Sequence, residues 1–188
     1  MNRRKAIGGI FALTGIGFAS FTGFKLFFEK ASRGQLQNYE NLLAELVDVI
    51  IPPTDSPGAK EANVHAYIIR FMEACSSNKD YTNFYNGLHD LQETCLSDYD
   101  AHFTDCSAQQ KIALLEDLDG NVDTNSLLAK IDNKLRGRSF FTILKSLTIE
   151  GYCTSQLGAT QLLAYQPIPA TYNPITTLEP QQKAWATS

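Results

Sequence analysis

Phe140-Phe141-Thr142-Ile143-Leu144-Lys145-Ser146-Leu147-Thr148-Ile149-Glu150-Gly151-Tyr152 decides the fold, because its apolar residues recur at intervals of three and four. Phe140, Phe141, Leu144, Leu147, Thr148, Gly151 and Tyr152 fall on one face of a helix, and Ile143 and Ile149 make its flanks and back apolar too. A helix greasy nearly all round belongs at the centre of a helical body. Gly151 inside it costs about 1 kcal/mol relative to alanine, so a second helix is expected to approach closely there. Leu157-Gly158 is the expected C-terminal stop.

Outward from this helix the same period returns. Tyr39, Leu42, Leu43, Leu46, Val47, Ile50 and Ile51 predict a helix that Pro52-Pro53 ends. Val64, Tyr67, Ile68, Phe71, Met72 and Cys75 predict a second, with Asn63 as its N-cap. Phe84, Leu88, Leu91, Cys95 and Tyr99 predict a third, and the capping box Ser107-Ala108-Gln109-Gln110 opens a fourth running to about Leu118. Leu127, Leu128, Ile131 and Leu135 predict a short fifth before Gly137. The expected fold is all-α, an orthogonal or irregular bundle of about six helices over residues 31–165. The Pro-rich stretch 166–188 reads as an extended tail that docks on a partner or stays mobile.

Charge divides the chain unevenly. Residues 1–30 hold five of the 16 basic side chains (Arg3, Arg4, Lys5, Lys25, Lys30) and one of the 20 acids (Glu29), so the net charge of −4 hides an acidic body. Such a body has no basic face for nucleic acid. Asn2-Arg3-Arg4-Lys5 followed by the uncharged run Ala6–Phe24 is the layout of an export signal, and Arg3-Arg4 suggests the twin-arginine route. Lys5-Ala6-Ile7-Gly8 departs from the fuller twin-arginine pattern, and nineteen uncharged residues also suit a retained membrane anchor. Either reading places the body in the periplasm, or at the periplasmic face of the inner membrane.

Catalytic chemistry is sparse. His65, His89 and His102 show no metal-ligand spacing, the four cysteines form no C-x-x-C, and the glycine pairs Gly8-Gly9 and Gly15-x-Gly17 fall inside the export segment. No catalytic, metal or cofactor site is expected in this chain. Cys75 and Cys95 lie in the apolar series of adjacent helices and read as a pair or as two buried thiols, with Cys106 as an alternative partner. Cys153 lies opposite the main stripe, where it either fills a helix buried on both sides or faces, and bridges to, another protein.

Three stretches resemble the gluconate 2-dehydrogenase subunit 3 family. They are Leu46-Val47-Asp48-Val49-Ile50-Ile51-Pro52-Pro53-Thr54-Asp55-Ser56-Pro57-Gly58-Ala59-Lys60-Glu61-Ala62, then Leu147-Thr148-Ile149-Glu150-Gly151-Tyr152-Cys153-Thr154-Ser155-Gln156-Leu157-Gly158-Ala159-Thr160, then Leu163-Ala164-Tyr165-Gln166-Pro167-Ile168-Pro169. Their order and separation fit over about residues 38–173. The resemblance implies a non-catalytic small subunit whose large partner holds FAD, is of the glucose-methanol-choline type and oxidises a sugar or related alcohol. A membrane cytochrome c subunit or another acceptor would take the electrons. It implies export together with the folded partner, and it makes Pro52, Pro53, Pro57, Gly58, Gly151, Tyr152, Cys153, Tyr165, Pro167, Pro169 and Tyr172 the candidate partner interface. The competing readings are a membrane-tethered periplasmic binding module without a flavoprotein, and a small enzyme with a histidine or carboxylate site.

Overall fold

Proline and capping side chains set the boundaries of the helices. The computed structural model describes residues 32–120, 137–168, 175, 177 and 180–186. After a 3-10 turn at Leu36–Tyr39, helix α1 (Glu40–Ile50) buries Leu42, Leu43, Ala44, Leu46 and Val47. It stops at Ile51, whose backbone is extended at φ −131°, ψ 84°, because the ring of Pro52 disfavours the helical region for the residue before it.

A loop then leads into a short turn, Ala59–Ala62, that closes on Asn63. Asn63 is left-handed at φ 56°, and the Val64 N–H reaches the Ala59 carbonyl (3.1 Å) while the Asn63 N–H reaches Lys60 (3.0 Å). This is the Schellman closure of a helical turn, made one residue before α2 (Val64–Ala74) begins. Asn63 thus stands at the expected boundary but makes no side-chain cap; its tolerance of positive φ is what the position uses.

Helix α3 (Asn78–Tyr99) begins six residues before Phe84, because the Ser77 hydroxyl accepts the Asp80 N–H (3.1 Å) and Tyr81 extends the buried face of Phe84, Leu88, Leu91 and Cys95. The chain passes through a 3-10 turn at Phe103–Asp105 into α4 (Ala108–Gly120). The expected box is formed there: Gln110 Oε1 accepts the Ser107 N–H (2.8 Å) and Ser107 Oγ accepts the Gln110 N–H (3.4 Å). The helix expected around Leu127–Leu135 lies outside the described residues.

Helix α5 (Phe140–Thr154) is capped by Ser139 and buries Phe140, Phe141, Ile143, Leu144, Leu147, Thr148, Gly151 and Tyr152. It touches α1, α2, α3 and α4 and is the centre of the body. Its rear is open, however, because Ile149 is 48% exposed. The helix also ends earlier than Leu157-Gly158. Ser155 turns extended (φ −69°, ψ 156°), bonds the Tyr152 carbonyl (2.7 Å) and accepts the Gly158 N–H (3.0 Å), so it closes one helix and starts a π-turn at Gly158–Leu162.

Among the described residues the architecture is all-α with no strand. Ala164 and Trp185 form an isolated parallel bridge, with Ala164 N–H to Ala184 O at 2.8 Å and Ala186 N–H to Ala164 O at 3.0 Å. Arg33 donates to the Met72, Glu73 and Ser76 carbonyls and lies 5.2 Å from the centre of the Tyr81 ring. It satisfies the carbonyls left free where α2 ends.

Candidate functional site

The loop after α1, the C-terminal half of α5 and the exit beyond it are far apart in sequence and adjacent in space. The Tyr152 hydroxyl donates to the Pro57 carbonyl (2.5 Å) and lies 3.5 Å from Ser56 Oγ. The loop is folded on itself by Ala59 N–H to Ile51 O (2.9 Å) and Thr54 N–H to Ser56 O (3.0 Å). At Gly58 a Cβ would stand 2.9 Å from Pro53 N and 3.1 Å from Ile51 O, so glycine permits that closure. At Gly151 a Cβ would stand 2.6 Å from Tyr67 Cδ1 and 3.1 Å from Val64 Cγ1, which is the close approach of α2 to α5 that the sequence predicts. Tyr67 continues the seam by donating to Glu150 (2.9 Å), and burial first, then this carboxylate, pushes its phenol pKa up. Gly158 is the tightest point: a Cβ there would lie 1.9 Å from the Tyr152 carbonyl oxygen.

This geometry sorts the candidate interface residues by depth. Gly58, Gly151 and Tyr152 are buried within the chain. Pro52, Pro53, Tyr165 and Pro167 are exposed, and Pro57 and Cys153 lie between. Pro169, Tyr172, Arg3 and Arg4 fall outside the described residues. Around the exposed set, Ile168 is 80% and Trp185 56% exposed, so the exit presents large apolar side chains to the surroundings. On the face of α5 opposite its main stripe, Ile149 is exposed and Cys153 is half-buried.

Sequence reasoning missed a second glycine contact. Gly87, inside α3, faces the root of Phe140, whose Cβ and Cγ would both be 2.3 Å from an added Cβ. The signal was present as a glycine between Phe84 and Leu88 in an otherwise regular helix. Arg138 continues this contact, giving its N–H to Asp80 (2.9 Å) and its carbonyl to the Asn83 side chain (3.1 Å).

Titratable groups are dispersed. His65, on α2, has Nε2 4.0 Å from Glu40 and a buried Nδ1 without a partner, and burial lowers its pKa. His89, Asp90 and Glu93 bring one donor atom each to within 4.8 Å, but all three are exposed on a single helix. A cavity of about 300 Å³ between α1, α4 and α5 is lined mainly by Val49, Ile50, Ile112, Leu115 and Phe141, with Lys145 and Asp119 paired at its rim (3.0 Å). Its apolar walls suit packing more than proton transfer. All four cysteines are free: Cys75 is exposed, Cys95 and Cys106 are buried, and Cys153 lies between. Among the described residues no helix is long and apolar enough to cross a membrane.

A family model described as gluconate 2-dehydrogenase subunit 3 matches residues 37–170. The match runs from the turn before α1 through the exit, and so takes in the loop, the Gly-Tyr helix and the Pro-rich segment together. No curated protein and no solved structure matches the chain.

Proposed function

The chain belongs to the gluconate 2-dehydrogenase subunit 3 family, accessory subunits of dehydrogenase complexes, and from that premise we propose that it is the non-catalytic small subunit of a periplasmic FAD-dependent sugar or alcohol dehydrogenase. In this reading it stabilises a large flavoprotein of the glucose-methanol-choline type and accompanies it through twin-arginine export. FAD sits in the partner, and electrons leave through a cytochrome or another acceptor.

The observation that carries the proposal is the docking of the loop after α1 on the C-terminal end of α5, from which the exit departs. The buried residues Gly58, Gly151, Tyr152 and Gly158 fix the loop and the exit, and these present Pro52, Pro53, Tyr165, Pro167, Ile168 and Trp185 outward. Rigid proline and aromatic groups lose little entropy on docking and are enriched at protein interfaces. The Arg3-Arg4 pair and the uncharged run after it support export, with retention as a membrane tether as the alternative outcome.

The test is co-expression of the tagged chain with a candidate flavoprotein from the same genome, followed by measurement of flavin and dye-reducing activity on the tag. Flavin is expected to be retained when the partner is present, to be lost from the tag with Tyr165→Asp plus Trp185→Asp, and to stay in the cytoplasm with Arg3→Lys plus Arg4→Lys. A stable flavin-free monomer that retains no partner overturns the reading and leaves a tethered helical binding module.

A further inference from the structure

The corner between α2 and α3 holds a cation that neither helix supplies. Arg33 Nη1 donates to the Met72 carbonyl (2.9 Å) and to that of Glu73, and Nη2 donates to the Ser76 carbonyl (2.7 Å) and to Asn78 Oδ1 (3.3 Å). The guanidinium carbon stands over the Tyr81 ring, 5.2 Å from its centre. Gly34 repeats the attachment: its N–H donates to one carboxylate oxygen of Glu73 (2.7 Å), whose other oxygen accepts the Tyr81 hydroxyl (3.0 Å). Its φ of 97° is one that glycine adopts without strain, and two residues further on Leu36 is fully buried.

These acceptors come from separate pieces of chain. Met72 and Glu73 belong to the last turn of α2, Ser76 to the connection, and Asn78 and Tyr81 to the first turn of α3. They converge only once the corner has folded. The carbonyls at the end of α2 lie at the negative pole of that helix, and a planar fork with five N–H groups can serve several of them at once. A lysine ammonium, with three donors on one nitrogen, cannot span the same set. Arg33 is also the first residue of the body's compact unit, and both it and Gly34 are exposed. Burial therefore does not shield the bond between them, whereas the engaged side chain can.

We propose that Arg33 is a latch: its guanidinium, held on the α2–α3 corner, fastens the point where the N-terminal segment joins the body and withholds the Arg33–Gly34 bond from trypsin-type proteases. A protease of that class hydrolyses the bond after an arginine when the guanidinium enters the acidic specificity pocket of the enzyme. Water then adds across the peptide bond, leaving a carboxylate on Arg33 and an amine on Gly34. With the guanidinium on the corner that pocket cannot be filled, and in a chain whose corner has not formed it can. Survival of the junction thus depends on the folding of α2 against α3.

The experiment treats the folded full chain with trypsin and follows the fragment that begins at Gly34 by mass spectrometry. Arg33→Lys keeps a trypsin site but cannot reach the four acceptors, so cleavage after residue 33 is expected to be about ten-fold faster in the variant than in the wild type. Equal rates in the two chains, fast or slow, overturn the inference. Hydrogen exchange on the same two chains separates a local latch from general loss of stability. Arg33→Lys is expected to speed exchange within 33–39 and at the α2–α3 corner, and uniform acceleration that extends to Leu114 and Leu115 overturns it. The outcome is independent of whether a flavoprotein partner exists, because both measurements use this chain alone.

Discussion

The seam between α2, α5 and the Pro-Gly loop and the α4 edge of the same body are held in opposite ways. In the seam, Gly58, Gly151 and Gly158 bring backbone and rings so close that no Cβ fits without movement, and the buried Tyr152 hydroxyl locks the loop. At the edge, α4 buries Leu114 and Leu115 and is otherwise fastened by charge: Lys111 to Glu45 (2.7 Å) and Lys145 to Asp119 (3.0 Å). The difference teaches where precision resides. Close packing tolerates little substitution and is indifferent to salt, whereas ion pairs open to solvent, as Lys145–Asp119 is, are weak, screened and replaceable.

The sharpest break is Gly158→Ala, because the added carbon meets a main-chain oxygen that no side-chain rotation can clear. It is expected to cost about 3 kcal/mol or more in denaturant unfolding. Gly151→Ala should cost less, since its nearest neighbour is the partly exposed ring of Tyr67, which can swing; equal losses in the two variants would overturn the distinction. Tyr152→Phe comes next at about 1–2 kcal/mol, since the Pro57 carbonyl loses a donor. Raised protease sensitivity confined to 51–62 would show that the hydroxyl acts through the loop.

The edge gives smaller and condition-dependent effects. Hydrogen bonds from Lys111 and then Lys60 hold the Glu45 carboxyl below its ordinary range. A lowered folded pKa contributes stability above the unfolded value near pH 4.5, and that contribution disappears as the pH falls through the folded one. Glu45→Gln should therefore cost about 1 kcal/mol at neutral pH and flatten the loss of stability on the acid side of pH 4.5, read from melting temperatures across pH. His65 is lowered for another reason, burial, so its contribution is complete above about pH 6.5 and is lost as the pH falls. His65→Gln should remove dependence in that higher window and leave the Glu45 window in place. Smallest of all, Lys145→Ala should cost about 0.5 kcal/mol or less, vanishing in high salt, because both partners of its ion pair are about half exposed.

The two regions also differ in how well they can be read from residues alone. The α1 stop at Pro52-Pro53 and the Ser107–Gln110 box are local, since proline geometry and a cap three residues away need no tertiary information. Gly151 was legible because a glycine inside an apolar helix face calls for a close neighbour. Gly87 carried the same signal and was passed over because its surroundings are more polar. The end of α5 was misplaced for a different reason: Leu157-Gly158 does mark a turn, but the Ser155 hydroxyl ends the helix first. For the candidate interface, the three stretches were legible as segments, while their depth was not. Tyr152 and Gly58 face inward because the loop folds back over α5, a long-range fact that no window of residues contains.

What the sequence by itself determined is the all-α class, the identity of the central helix, the uneven charge and the family, because period, caps and motif order are properties of neighbours along the chain. What only the tertiary structure decided is which candidate residues are covered and that the segment around Trp185 returns to Ala164. Each of these is a contact between residues distant in the chain or across a reversal of it. Such contacts depend on how the helices pack, and helical period specifies which faces are apolar without specifying which face meets which.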